Sequence, residues 1–192
     1  MKNISDYSQP DFYHFSEDSL ELVQFASEVL ASRNDLTSAV DLGAGCGVIG
    51  IEALLKNPNI SKMTFLEVQK EFIPFIIENL QLAEINDAKI LNIPLSQFEA
   101  KVDIIFSNPP YFKPGSGRVS ENRNRQVCRT FEIDGMDIFF KKLKEALTKN
   151  GLIFFCIKDE EEVAFFLNSF KLVKKRKTES ATLICLAGLD ID

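Results

Sequence analysis

A doubly wound α/β fold is predicted here: seven strands in one mostly parallel sheet, with the last strand antiparallel. Two observations carry this. Apolar, strand-like runs alternate with segments of helical spacing along nearly the whole chain, as βαβ units require. The final two runs, "KLVKKRKTES" and "ATLICLAG", have only a polar turn between them, so they pair antiparallel at one edge.

The elements follow in order. Residues 16–32 ("SEDSLELVQFASEVLAS") have helical spacing, with Ser16 or Asp18 placed to cap the helix. "TSAVDLGAG" is a short apolar run that ends in glycines. "VIGIEALLKN" is a helix closed by Asn57-Pro58, and "KMTFLEV" is the second strand. Residues 70–86 form the next helix, with Pro74 near enough to its start to be tolerated. "AKILNI" and "KVDIIFS" are strands three and four. "DIFFKKLKEALTKNG" is an amphipathic helix with Gly151 just past its end. "LIFFCIK" is the fifth strand, and "DEEEVAFFLNSF" is a short helix with acids in its first turn. One long irregular segment, from Lys113 to about Asp134, interrupts the pattern, and loops of that length are usually functional.

With 192 residues the chain predicts a single domain, 1–192. Its 17 phenylalanines and 45% apolar content supply a core, and its net charge of -6 argues against a generic polyanion binder. No apolar run reaches the ~18 residues of a membrane span. The polar start "MKNISDYSQPDF" lacks the apolar stretch of a signal peptide, so a soluble, cytoplasmic chain is expected. Cys46, Cys128, Cys156 and Cys185 form no CxxC pair, and His14 is the one histidine, so no metal site is expected. Cys156 and Cys185 read as buried thiols in strands.

"DLGAGCG" follows the first strand and opens a helix. Glycines there let the backbone turn tightly and approach a ligand. Counted from Gly43 the spacing is G-x-G-x-G. It departs from the dinucleotide fingerprint, and Gly50 reads as out of step with it. No Gly-Lys-Ser/Thr follows, which excludes an ATPase-type phosphate loop. Asp41 puts a carboxylate beside Gly43, Ala44, Gly45 and Gly47, where it would repel a pyrophosphate and suit a cationic or amine-bearing ligand. Glu67, with Val68 after it, ends the second strand, where an acid accepts from ribose hydroxyls. A solvated strand-end acid is the plain alternative. Together Asp41 and Glu67 suit a cationic nucleoside without phosphates, a description S-adenosylmethionine meets.

The fourth strand ends in "SNPPYF", a stiff polar tip of the kind that holds substrates. "DLGAGCG" after strand one, the acid ending strand two and "NPPY" ending strand four resemble the class I S-adenosylmethionine-dependent methyltransferases that act on planar amines. The resemblance runs from about Phe12 to Gly188 and implies their Rossmann-like fold. It also implies cofactor contacts from Asp41, Gly43, Ala44, Gly45, Gly47, Glu67, Val68 and Asn108. A delocalised amine is a poor nucleophile. By resemblance, the Asn108 side-chain oxygen and the Pro109 carbonyl accept its two hydrogens, Pro110 keeps the turn rigid and Tyr111 stacks on the target.

After the motif come Phe112 and the cations Lys113, Arg118, Arg123, Arg125 and Arg129, with Glu121 the one acid among them. "RQVCRTF" is similar to the segment that follows "NPPYF" in bacterial enzymes methylating adenine N6 beside the anticodon of a valine transfer RNA. This implies an RNA partner, with Phe112 and Arg118, Arg123, Arg125 and Arg129 as substrate contacts. "FYHFSEDSLELVQFA" is like their segment before the first helix, so residues 1–36 are expected to close over the cofactor and 37–192 to form the core. The family's Asp after strand three, which meets the cofactor adenine, is matched by Pro94. Asn92, Gln97 or a backbone carbonyl would take its place. A second basic cluster, Lys171, Lys174, Lys175, Arg176 and Lys177, is either a phosphate contact or a charged edge that discourages aggregation. Two other functions share the motifs: a glutamine N5-methyltransferase acting on a release factor, and a non-catalytic cofactor-binding subunit. The first usually carries a further helical domain, and the second has no need of an intact Asn-Pro-Pro-Tyr.

Overall fold

A computed structural model describes residues 7–109, 136–158 and 163–189. The strands are β1 (Ser38–Leu42), β2 (Lys62–Leu66), β3 (Ala88–Leu91), β4 (Val102–Ser107), β5 (Leu147–Ile157), β6 (Phe170–Lys177) and β7 (Thr182–Gly188). They form one sheet in the order β3-β2-β1-β4-β5-β7-β6. β1 pairs parallel with both β2 and β4. The connections therefore leave β1 in opposite directions and open a crevice above the carboxyl ends of these strands. β7 runs antiparallel to β5 on one side and to β6 on the other, as the final strand pair predicts.

Both faces of the sheet are buried, which is why its central strands read as continuous apolar runs and not as alternating ones. On β5, Leu152, Phe154 and Cys156 join the core beneath α1 (Glu17–Leu30), α2 (Val48–Lys56) and α3 (Ile73–Leu82). Ile153, Phe155 and Ile157 face α4 (Met136–Ala146) and α5 (Val163–Leu167). Phe25, Phe65, Phe72, Phe106, Phe154, Phe155, Phe166 and Phe170 are essentially inaccessible. Each contributes roughly 1.5–3 kcal/mol by leaving water. Among the described residues, no helix is long and apolar enough to cross a membrane.

Three local expectations change. The helix expected to run up to Gly151 ends at Ala146. Leu147 instead pairs with Val102, and Thr148 is drawn into the sheet by donating to Asp103 Oδ1 at 2.9 Å. Gly151 thus serves packing and not capping: a Cβ there would sit 2.7 Å from Leu147 Cδ1 and 2.9 Å from the Asp103 carbonyl. Ser16 does occupy the N-cap of α1, but its hydroxyl donates to Asp18 and its oxygen accepts from none of the helix amides. The helix expected over 70–86 opens as a 3₁₀ turn at Lys70–Phe72, then runs as α3 with Pro74 in its first turn. It stops because Glu84 turns left-handed (φ 57°), with Glu84 N–H donating to Gln81 C=O and Ile85 N–H to Leu80 C=O.

Gly50 is where α2 meets the sheet. A Cβ there would lie 2.5 Å from Phe65 Cε1 and 3.1 Å from Asp41 Cβ. Both neighbours are buried, so neither gives way easily. Gly50→Val is expected to lower unfolding free energy by about 3 kcal/mol, the upper end of overpacking. Urea denaturation followed by circular dichroism would show it as an earlier midpoint, and an unchanged midpoint would contradict this packing.

Candidate active site

The first strand delivers Asp41, 1% exposed, to the base of the glycine loop. Gly43, Gly45 and Gly47 have φ of 70°, 53° and 81°, a region other residues enter only at a cost. Gly43 and Ala44 both donate to the Leu66 carbonyl, at 2.8 and 3.1 Å, which ties the loop to the end of β2. A Cβ on Gly43 would meet nothing within 4 Å, so the loop backbone faces open space there. The sequence reading placed Gly50 out of step, but Gly45, Gly47 and Gly50 do satisfy G-x-G-x-x-G, and Gly50 fills that motif's role of close helix–strand packing.

Glu67 is not a solvated strand-end acid: it is 4% exposed. One carboxylate oxygen accepts from Gly45 N–H and the other from Gln69 N–H, each at 2.8 Å. Burial pushes its pKa up, against the pull of these amides. The Val68 amide also bears on the carboxylate, which keeps acceptor capacity for a hydroxyl donor. Val68, 56% exposed, stands just beyond it as an apolar surface. Asn92 spends its amide hydrogens on the Glu67 and Val68 carbonyls, at 2.7 and 3.0 Å, so it fixes the end of β2.

Asp41 is less well satisfied. Its Oδ2 accepts from Gly50 N–H at 2.8 Å, and its Oδ1 is buried with no hydrogen-bond partner among the described residues. Burial, with the nearby Glu67 charge adding to it, raises its pKa to about 8. An orphaned buried carboxylate oxygen beside open glycine backbone is the environment a cationic ligand would complete.

The fourth strand brings Asn108 and Pro109 to the same rim, both half-buried. Ser107 Oγ donates to the Leu42 carbonyl at 2.7 Å and locks the tip of β4 to that of β1. Asn108 Nδ2 lies 3.5 Å from Ser19 Oγ on α1. The structure therefore gathers Asp41, Gly43, Ala44, Gly45, Gly47, Glu67, Val68, Asn108 and Pro109 at the carboxyl ends of three adjacent strands. Pro110, Tyr111, Phe112, Arg118, Arg123, Arg125 and Arg129 lie outside the described residues. In the second basic cluster, Lys174 and Arg176 both pair with Glu28. They also lie 5.6 and 5.3 Å from the ring centroid of Phe25, so these two serve to hold α1 against the edge strand. Burial pushes the Cys156 and Cys185 thiols up to about 12, which makes them inert.

Sequence reasoning missed Asn79. It is 1% exposed on α3 and donates to the Cys46 carbonyl of the glycine loop at 2.9 Å. The same side chain exchanges hydrogen bonds with the Ser8 backbone at 2.8 and 3.0 Å. The N-terminal segment is further held by Tyr7, whose hydroxyl donates to Glu52, and by Phe12 and Tyr13, which meet Phe72 edge-on at 5.4 and 5.7 Å. A polar residue on the buried face of "FIIENLQL" is the one signal the sequence offers.

The sequence profile of the methyltransferase small domain matches residues 14–180. A tRNA1(Val) (adenine(37)-N6)-methyltransferase of Glaesserella parasuis serovar 5 is 29% identical over 131 residues, which cover 67% of this chain and 54% of that protein. The chain thus spans about half the length of that relative. The crystal structure of a ribosomal protein L11 methylase from Lactobacillus delbrueckii subsp. bulgaricus superposes with a TM-score of 0.68 at 16% identity, covering 90% of this chain and 80% of that one. The T. thermophilus 16S rRNA N2 G1207 methyltransferase, solved with AdoMet and guanosine, gives 0.63 at 18% identity over 91% of this chain and 43% of that one. These likenesses show the shared Rossmann-like fold. On the profile match across most of its length, the chain belongs to the methyltransferase small domain family.

Proposed function

We propose that this protein is an S-adenosylmethionine-dependent N-methyltransferase that methylates adenine N6 in RNA, with transfer RNA as the preferred substrate. The observation that carries it is the convergence of a buried, half-satisfied Asp41 with the Asn108-Pro109 tip on neighbouring strands. The cofactor would be held by the glycine loop, by Asp41 at its cationic end, and by Glu67 and Val68 at its nucleoside. Bound there it supplies an electrophilic methyl group. The chain's own part is to hold the amine. Asn108 Oδ1 and the Pro109 carbonyl accept its two hydrogens, which keeps the lone pair aimed and favours the positive charge that develops on nitrogen. No side-chain base is required, because the proton is acidified as the bond forms and solvent accepts it.

RNA as the partner is supported by the named activity of the Glaesserella relative. It is supported too by the five cations between Lys113 and Arg129 in a chain of net charge -6. Phe112, Arg118, Arg123, Arg125 and Arg129 are the proposed substrate contacts, and Pro110 and Tyr111 complete the catalytic turn. The chain works as one methyltransferase unit in the cytoplasm, with residues 1–36 closing over the cofactor.

The test is incubation with S-adenosylmethionine and RNA made without modifications, followed by digestion and mass spectrometry. Time-dependent N6-methyladenosine is expected. Its absence from RNA, with methyl transfer to a glutamine-bearing protein substrate instead, would overturn the RNA reading in favour of a glutamine side chain, which also offers two hydrogens on a delocalised nitrogen.

A further inference from the structure

The Asn108 amide has two ends of similar shape and opposite chemistry. Its oxygen accepts from an amine, whereas its nitrogen would set hydrogens against the amine's own. Shape alone does not choose between them, so something must fix which end faces the crevice. Ser19 Oγ lies 3.5 Å from Asn108 Nδ2. Ser19 is 4% exposed, and its N–H donates to the Ser16 carbonyl at 3.1 Å in the first turn of α1. The preceding residue, Asp18, is equally buried. It accepts from Ser16 Oγ at 2.8 Å and from Ser180 Oγ in the β6–β7 turn. One carboxylate thus pins the start of α1 to the sheet edge, and this holds Ser19 against the tip of β4.

We propose that Ser19 is a positioning residue: its hydroxyl oxygen takes a hydrogen from Asn108 Nδ2 and so turns Oδ1 toward the crevice where the target amine sits. The contact is at the long limit of a hydrogen bond, and Ser19 is buried, so water does not take its place. Ser19 acts through Asn108 and touches neither substrate nor cofactor. The inference rests on reading Asn108 as the amine's acceptor.

Two readouts separate this from general packing. In the protein without substrate, Ser19→Ala should speed solvent exchange of the Asn108 side-chain amide, followed by nitrogen-15 NMR, by roughly tenfold, the factor one ordinary hydrogen bond holds. Ser19→Thr, which keeps the hydroxyl, should restore it. On unmodified RNA, Ser19→Ala should lower kcat by about the same factor with the KM for S-adenosylmethionine unchanged. It should add nothing in an Asn108→Ala background. Unchanged amide exchange in Ser19→Ala, or an equal loss of kcat in Ser19→Thr, would overturn the proposal. Should the parent protein methylate no RNA, the substrate reading fails while the exchange rates still decide for or against Ser19.

Discussion

Asn108→Ala is expected to lower kcat for methyl transfer by roughly 10³-fold, the upper range for removing one transition-state acceptor from a preorganised site. The folded state should hardly notice. Asn108 is half-buried, and its side chain meets Ser19 only through a long hydrogen bond. Thermal unfolding should therefore shift by no more than a surface substitution allows, about ±0.5 kcal/mol. Affinity for S-adenosylmethionine should fall far less than turnover, because Asp41, Glu67 and the glycine loop remain. Single-turnover transfer to unmodified RNA, beside calorimetric cofactor binding, separates the two quantities. Parental turnover in this variant would remove Asn108 from the chemistry, and a collapsed cofactor affinity would make it a binding residue instead.

The second large effect concerns Asp41 and acidity. Its carboxyl pKa is raised from 3.8 to about 8, chiefly by burial. A raised carboxyl pKa means that the folded protein holds this proton more tightly than the unfolded chain does. Stability from this site is thus complete below about pH 4 and drains away as pH climbs toward 8. Asp41→Asn should flatten that decline and leave the ligand-free variant more heat-resistant than the parent at pH 8. Cofactor binding should show the reverse. A cationic ligand favours the ionised carboxylate, so affinity should rise from pH 6 to pH 8 with release of a proton. Asp41→Asn should bind roughly 10- to 100-fold more weakly, the worth of a hydrogen bond to a charged group, with little dependence on pH. Titration calorimetry across that range checks both. Equal affinity for parent and variant would mean that Asp41 does not face the cofactor.

What the sequence discloses, and what it hides, divides by the range of the interaction. Asp41, Glu67 and Asn108 are legible because each ends an apolar run, and strand ends in a parallel sheet necessarily share a rim. Gly43, Gly45 and Gly47 are legible because a left-handed backbone selects glycine. Asn79, Ser19 and Asp18 are not, because their partners stand 71, 89 and 162 residues away and no periodicity reports such pairings. The early end of α4 was hidden for the same reason. The amphipathic helical pattern runs on past Ala146, and the hydroxyl of Thr148 meeting Asp103 shows why the helix yields to strand. The cations of β6 show how composition misleads: two of them answer to one glutamate on α1.

The long reach of these contacts also bears on how the molecule is made. A ribosome releases residues in order, and domains assemble as their partners emerge. Ser8 must wait for Asn79, Ser19 for Asn108, and Asp18 for Ser180. The segment that steadies the glycine loop and orients the reactive amide is thus synthesised before the partners that fix it, and settles after them. A nascent chain stalled within β6 would carry every residue of the site's chemistry and lack the Ser180 contact at Asp18 that sets the start of α1 in place.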